Sequence, residues 1–133
     1  MQELVKRSLA GVVLGLVLVG ADQARAGAFM TAEEMLEVIP GASLTGISNE
    51  DFETRWVQRY ERGERSGIAQ GRFGERSYAS RWSVRRDLWC EDWGSGSGCW
   101  RLKRIDGATL QPYRGSEKLP NAWMILHPAE SQE

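Results

Sequence analysis

Leu88-Trp89-Cys90-Glu91-Asp92-Trp93-Gly94-Ser95-Gly96-Ser97-Gly98-Cys99-Trp100-Arg101-Leu102 has a Gly/Ser middle and two arms that each set a Trp beside a Cys. The arms read as the legs of a β-hairpin, residues 88–93 and 99–105, joined by a flexible loop at residues 94–98. Cys90 and Cys99 are the only cysteines in the chain. In an oxidising compartment they are expected to form a disulfide that ties the legs together. A ring of this size stabilises a small domain by roughly 2–3 kcal/mol. The eight residues between them do not make the C-x-x-C spacing of a redox pair, so a structural bridge is expected.

The period-two pattern extends on both sides of this hairpin. Phe52, Thr54, Trp56, Gln58 and Tyr60 alternate with Glu53, Arg55, Val57, Arg59 and Glu61, an aromatic face against a mostly charged one. Tyr78, Ser80, Trp82 and Val84 alternate with Ala79, Arg81, Ser83 and Arg85 in the same way. Both stretches predict half-buried antiparallel strands. Between them, residues 61–64 read as a turn and residues 65–73 as a Gly-rich return strand. Asp106-Gly107 predicts a two-residue hairpin turn with positive φ at both positions. Residues 108–114 then pair back on 99–105, and residues 121–127 form a last apolar strand. Near the start, Thr31 and Glu34 make a capping box, with Met30 and Met35 placed as a hydrophobic staple. Pro40-Gly41 stops the helix after about nine residues. The predicted fold is mainly β: an N-terminal short helix plus roughly seven or eight strands in an antiparallel meander, closed as a small barrel or left as a curved sheet. The helix would plug one end or lie across the sheet.

The chain of 133 residues has a formal net charge of −1 and suits one domain. Its first 26 residues read as a secretory signal peptide. Lys6 and Arg7 precede an uncharged run at residues 8–21, and Ala24-Arg25-Ala26 offers small residues for cleavage after Ala26. A helix of that apolar length spans only ~21 Å against a hydrocarbon core of ~30 Å, so no permanent span is expected. Residues 27–133 remain as a single small β-rich domain, periplasmic or secreted. Within it, residues 27–54 carry six acids and no base, whereas residues 55–86 carry nine Arg against three Glu. Arg suits bidentate contact with carboxylate, phosphate or sulfate, which makes Arg81 and Arg85 candidate binding residues. The plainer reading sets these Arg on solvent faces, their stems covering Trp rings. Export takes the protein away from nucleic acid.

The six Trp dominate the candidate sites. Trp82, Trp89, Trp93, Trp100 and Trp123 could stack a ligand at a barrel mouth, though each is more simply core packing. Trp93, at the loop end, is the best candidate for an exception. An interior left open above ~300 Å³ would favour ligand binding, and a filled one would move function to the outer surface. Adjacent strand residues point to opposite faces, so Glu91 and Asp92 are not expected to share a substrate. His127 is the only imidazole and is expected at an exposed strand end. No catalytic residue, metal site or cofactor is expected.

The order of a signal peptide, a short helix, Trp82-Ser83-Val84, the Leu88–Trp93 leg and Cys99-Trp100-Arg101-Leu102 resembles the small exported β domains of proteobacteria grouped as domains of unknown function. The likeness covers most of residues 31–113 and rests on a Trp strand followed by a disulfide hairpin. It implies an exported β domain and carries no catalytic residues. Arg62-Gly63-Glu64 stands where an Asp-Gly turn is more usual in such domains. A second similarity is to periplasmic lysozyme inhibitors, also small disulfide-bridged barrels, although their Ser/Lys inhibitory motif is not evident. The expected function is therefore a non-enzymatic binding or accessory domain for a small or amphipathic ligand or envelope component. The alternative is a protein–protein module, such as an inhibitor of an envelope-attacking enzyme, that inserts the hairpin loop into its partner.

Overall fold

The computed structural model describes residues 27–130. The expected signal peptide, residues 1–26, lies outside them. A single helix, α1 (Ala32–Val38), is followed by β1 (Ser43–Ile47), β2 (Arg55–Tyr60), β3 (Ser66–Phe73), β4 (Arg76–Arg85) and β5 (Leu88–Asp92). Then come β6 (Ser97–Asp106), β7 (Thr109–Arg114), β8 (Glu117–Lys118) and β9 (Trp123–His127). Each strand from β1 to β7 pairs antiparallel with the next. β9 pairs with both β1 and β7 and so closes eight strands into a barrel, with the short β8 added beside β7. Closure leaves no free edge among the eight to recruit a foreign strand.

Alternation decides what goes inside. Trp89 and Glu91 on β5 are buried, and Leu44, Tyr60, Trp82, Trp100, Leu102, Leu110 and Trp123 join them in the interior. Cys90 and Cys99 face each other directly across the β5–β6 ladder, Cα atoms 4.0 Å apart, and form the disulfide. The alternation along β5 and β6 puts that bridge on the other face from Trp89 and Trp100, so it straps the hairpin without using interior space.

The helix closes one end. Thr31 Oγ1 accepts from the Glu34 amide at 3.2 Å, and the Glu34 carboxylate accepts from the Thr31 amide, completing the capping box. The Ala32 amide donates to Asp87 Oδ1 at 2.9 Å, which fixes the helix start to the β4–β5 turn. Met35 and Ile39 are fully buried beneath it. Gly41 takes φ +90° and donates its amide to Tyr60 O, turning the chain into β1. Among the described residues no helix is long and apolar enough to cross a membrane.

Four local expectations are corrected. Phe52 is not on the inner face of a strand: it is 59% exposed at φ +58°. The cause is the Asp51 carboxylate, which accepts from the Glu53 and Thr54 amides and holds a turn just before β2. Asp106-Gly107 does not form the mirror-image turn, because neither residue has positive φ. Asp106 pairs with Thr109, and its side chain accepts from the Ala108 amide at 2.8 Å, so the tip is Gly107-Ala108. The β5–β6 loop is shorter than residues 94–98 implied, since Ser97 and Gly98 pair with Asp92 and Glu91. The remaining tip is closed by Trp93 N donating to Gly96 O at 2.9 Å. Finally, β8 is a strand beyond those expected.

Replacing Cys90 and Cys99 together by Ser is expected to lower the unfolding free energy by about 2–3 kcal/mol, measured by urea titration. An unchanged midpoint and slope would show that the bridge adds nothing to strand pairing.

Candidate functional site

The six indoles divide between two halves of the barrel. In the half nearest the helix, Trp82 and Trp89 stack with ring centroids 5.0 Å apart, and Tyr60 meets Trp89 edge-on at 5.5 Å. All three are fully buried, and the Trp82 indole N–H donates to Glu61 O at 2.9 Å. That half is solid. In the other half, Trp93, Trp100, Trp123 and Trp56 form a chain of edge-on contacts at 5.9, 5.2 and 5.9 Å. Together they wall a cavity of about 590 Å³.

Glycine creates part of that space. A Cβ at Gly46 would lie 2.9 Å from the Trp56 ring, and one at Gly98 would lie 2.8 Å from the Trp100 ring. Each indole can therefore lie flat over bare backbone rather than project across the barrel. The β1–β2 loop, the β3–β4 turn and the β5–β6 tip surround the opening, with Glu50, Arg76 and Arg114 at its exposed rim.

Polar groups form the floor. Glu91 is only 4% exposed, yet it lines the cavity. Its Oε1 accepts from Gln58 Nε2 at 2.7 Å, and its Oε2 accepts from the Tyr60 hydroxyl at 2.9 Å and the Trp89 indole at 3.0 Å. Gln58 Oε1 in turn accepts from the Tyr78 hydroxyl at 2.6 Å. Burial pushes the Glu91 carboxyl above the ordinary carboxylate range, and hydrogen bonds from Gln58, Trp89 and Tyr60 oppose that rise. Burial also pushes the Tyr60 and Tyr78 phenols upward, and the Glu91 charge adds to the effect. A carboxyl in this setting can accept a hydrogen bond from a guest or balance a positive charge on one. Asp92 is exposed while Glu91 is buried, so the two do not form a carboxylate pair. His127 is exposed at the end of β9.

The residues singled out by sequence separate accordingly. Trp93 and Trp100 line the cavity. Trp82 and Trp89 lie in the solid half, where Trp89 reaches the floor only through its indole N–H. Arg81 is exposed on the rim of a shallow surface depression of about 370 Å³, and Arg85 is exposed at the end of β4. Trp56, Gln58 and Tyr78 are not among the sequence candidates and Glu91 enters only as half of a carboxylate pair, although all four line the cavity, as does Trp123. A signal for two of them was present. Gln58 interrupts an otherwise aromatic inner face between Trp56 and Tyr60, and Glu91 shares the strand parity of Trp89 and Trp93. No protein-family model matches the chain, and it matches neither a curated protein nor a solved structure.

The raised Glu91 titration has a consequence for stability. The folded protein holds this proton to higher pH than the unfolded chain does, so the associated stability is present at low pH and lost as pH rises through the folded value. The stability of the wild type minus that of Glu91→Gln is expected to fall across urea titrations run between pH ~4 and ~8. A difference that grows with pH would mean that the donors around the carboxylate outweigh its burial.

Proposed function

We propose that this chain is a non-enzymatic exported binding domain that holds one small, largely apolar ligand in the open half of its barrel. The observation that carries this reading is the cavity of about 590 Å³ with indole walls and a floor of Gln58, Tyr78 and Glu91. Ligand sites are typically concave, ~300–1,000 Å³, and mostly apolar, with a few placed polar groups to orient the guest. An eight-stranded barrel has room for either a packed interior or one small ligand. Here the helix end takes the first course and the loop end the second.

A periplasmic or secreted location belongs to the same proposal, with residues 1–26 as the leader and cleavage after Ala26. The Cys90–Cys99 disulfide supports it, since such bridges persist in oxidising compartments. The likeness to exported proteobacterial β domains points the same way. A protein-partner role for the β5–β6 tip draws less support. That tip is short, and Trp93 turns back to contact Trp100 at 5.9 Å.

The test is titration of the purified domain with N-phenyl-1-naphthylamine, a neutral probe that fluoresces in apolar sites. Saturable binding of one probe per chain is expected, with quenching of Trp emission. Trp100→Leu should weaken it roughly tenfold, equivalent to about 1.4 kcal/mol. Non-saturable binding that the substitution leaves unchanged would place the probe on exposed apolar side chains outside the barrel and contradict the reading.

A further inference from the structure

We infer that the ligand of this cavity carries a positive charge, an organic ammonium or similar cation, at the end that enters first. The inference rests on the binding reading above and concerns the chemistry of the guest.

The groups that hold Glu91 are the amide of Gln58, the phenol of Tyr60 and the indole of Trp89, all neutral. Hydrogen bonds from neutral donors orient a carboxylate and spread its charge without cancelling it. A buried carboxylate so held retains an uncompensated charge whenever it is ionised, and a cation arriving from the cavity supplies the missing partner. The walls suit the same guest. Trp56, Trp93, Trp100 and Trp123 surround the space above the floor, and indole faces attract cations more strongly than other aromatic rings do. Indole walls around a carboxylate floor form an arrangement suited to ammonium groups.

The rim has charges of its own, which must be weighed against the floor. Arg76 and Arg114 line the opening and would favour an anion, while Glu50 beside them opposes that preference. All three are exposed, so water and salt screen them over a Debye length of ~8 Å. Glu91 is shielded from both, and its field acts at close range on whatever occupies the floor. The buried charge therefore sets the preference at the inner end, and the two Arg could receive an acidic group trailing at the mouth.

Three probes of nearly one shape separate the possibilities: benzyltrimethylammonium, its uncharged carbon analogue neopentylbenzene, and the anion phenylmethanesulfonate. Each is titrated into the full mature domain at mildly alkaline pH, with Trp fluorescence as the readout. The cation is expected to bind at least roughly tenfold more tightly than the neutral analogue. In Glu91→Gln the ratio of the two affinities should fall at least severalfold, the indole walls keeping what preference remains. Should that variant not fold, the three-probe comparison on the wild type decides alone. Equal affinity for cation and neutral analogue overturns the inference and leaves the cavity reading standing. Tightest binding of the anion overturns it in favour of Arg76 and Arg114. Binding of none of the three also overturns it, and the naphthylamine titration then decides separately whether the cavity takes a guest at all.

Discussion

Hydrogen bonding of β9 to both β1 and β7 turns a meandering sheet into a tube, and the rest of the molecule answers to the fixed width of that tube. An open sheet could have spread six indoles over one face. Inside a closed barrel they must share a narrow interior with Tyr60, Leu44, Leu102 and Leu110. Trp82 and Trp89 stack nearly parallel, 12° apart, and fill the helix end. The other four stand edge-on around the circumference, an arrangement that lines a wall and leaves the middle empty.

Glu91 marks the boundary between these two regimes. Tyr60 belongs to both sides: its ring packs on Trp89 and its hydroxyl donates to the carboxylate. Trp89 does the same with its ring and its indole N–H. The polar floor is therefore positioned by the solid half and faces the open one. Gln58 extends it to Tyr78 across β3, where a Cβ on Gly71 would meet the Tyr78 ring at 2.7 Å. The disulfide strap on the outer face holds the two legs that carry Glu91, Trp93 and Trp100.

Much of this architecture was legible in the order of residues, because the relevant forces are local. The Thr31–Glu34 capping box, the alternation through Trp56, Gln58 and Tyr60, and the Cys90–Cys99 hairpin all depend on side chains a few positions apart. Errors arose where one short-range contact overrode a pattern. Asp51 drew the backbone of Phe52 into a left-handed turn, and Asp106 paired with Thr109 moved the β6–β7 tip one residue on. The site was less legible because it is assembled across the barrel. Alternation shows that Glu91 and Trp89 share a face, but nothing near them in sequence shows that Gln58 and Tyr60 stand opposite. Equally, the sorting of Trp82 into the packed half and Trp123 into the cavity wall follows from barrel closure, which joins strands far apart in the chain.

The division of the interior into a solid half and an open half is the claim on which site, ligand and function all depend. Proton–nitrogen correlation spectra resolve each indole N–H separately, so a titration with a neutral aromatic guest reads all six Trp at once. The expected result is movement of the Trp56, Trp93, Trp100 and Trp123 signals with Trp82 left in place. Equal movement of all six, or shifts confined to backbone amides on the outer strand faces, would contradict it.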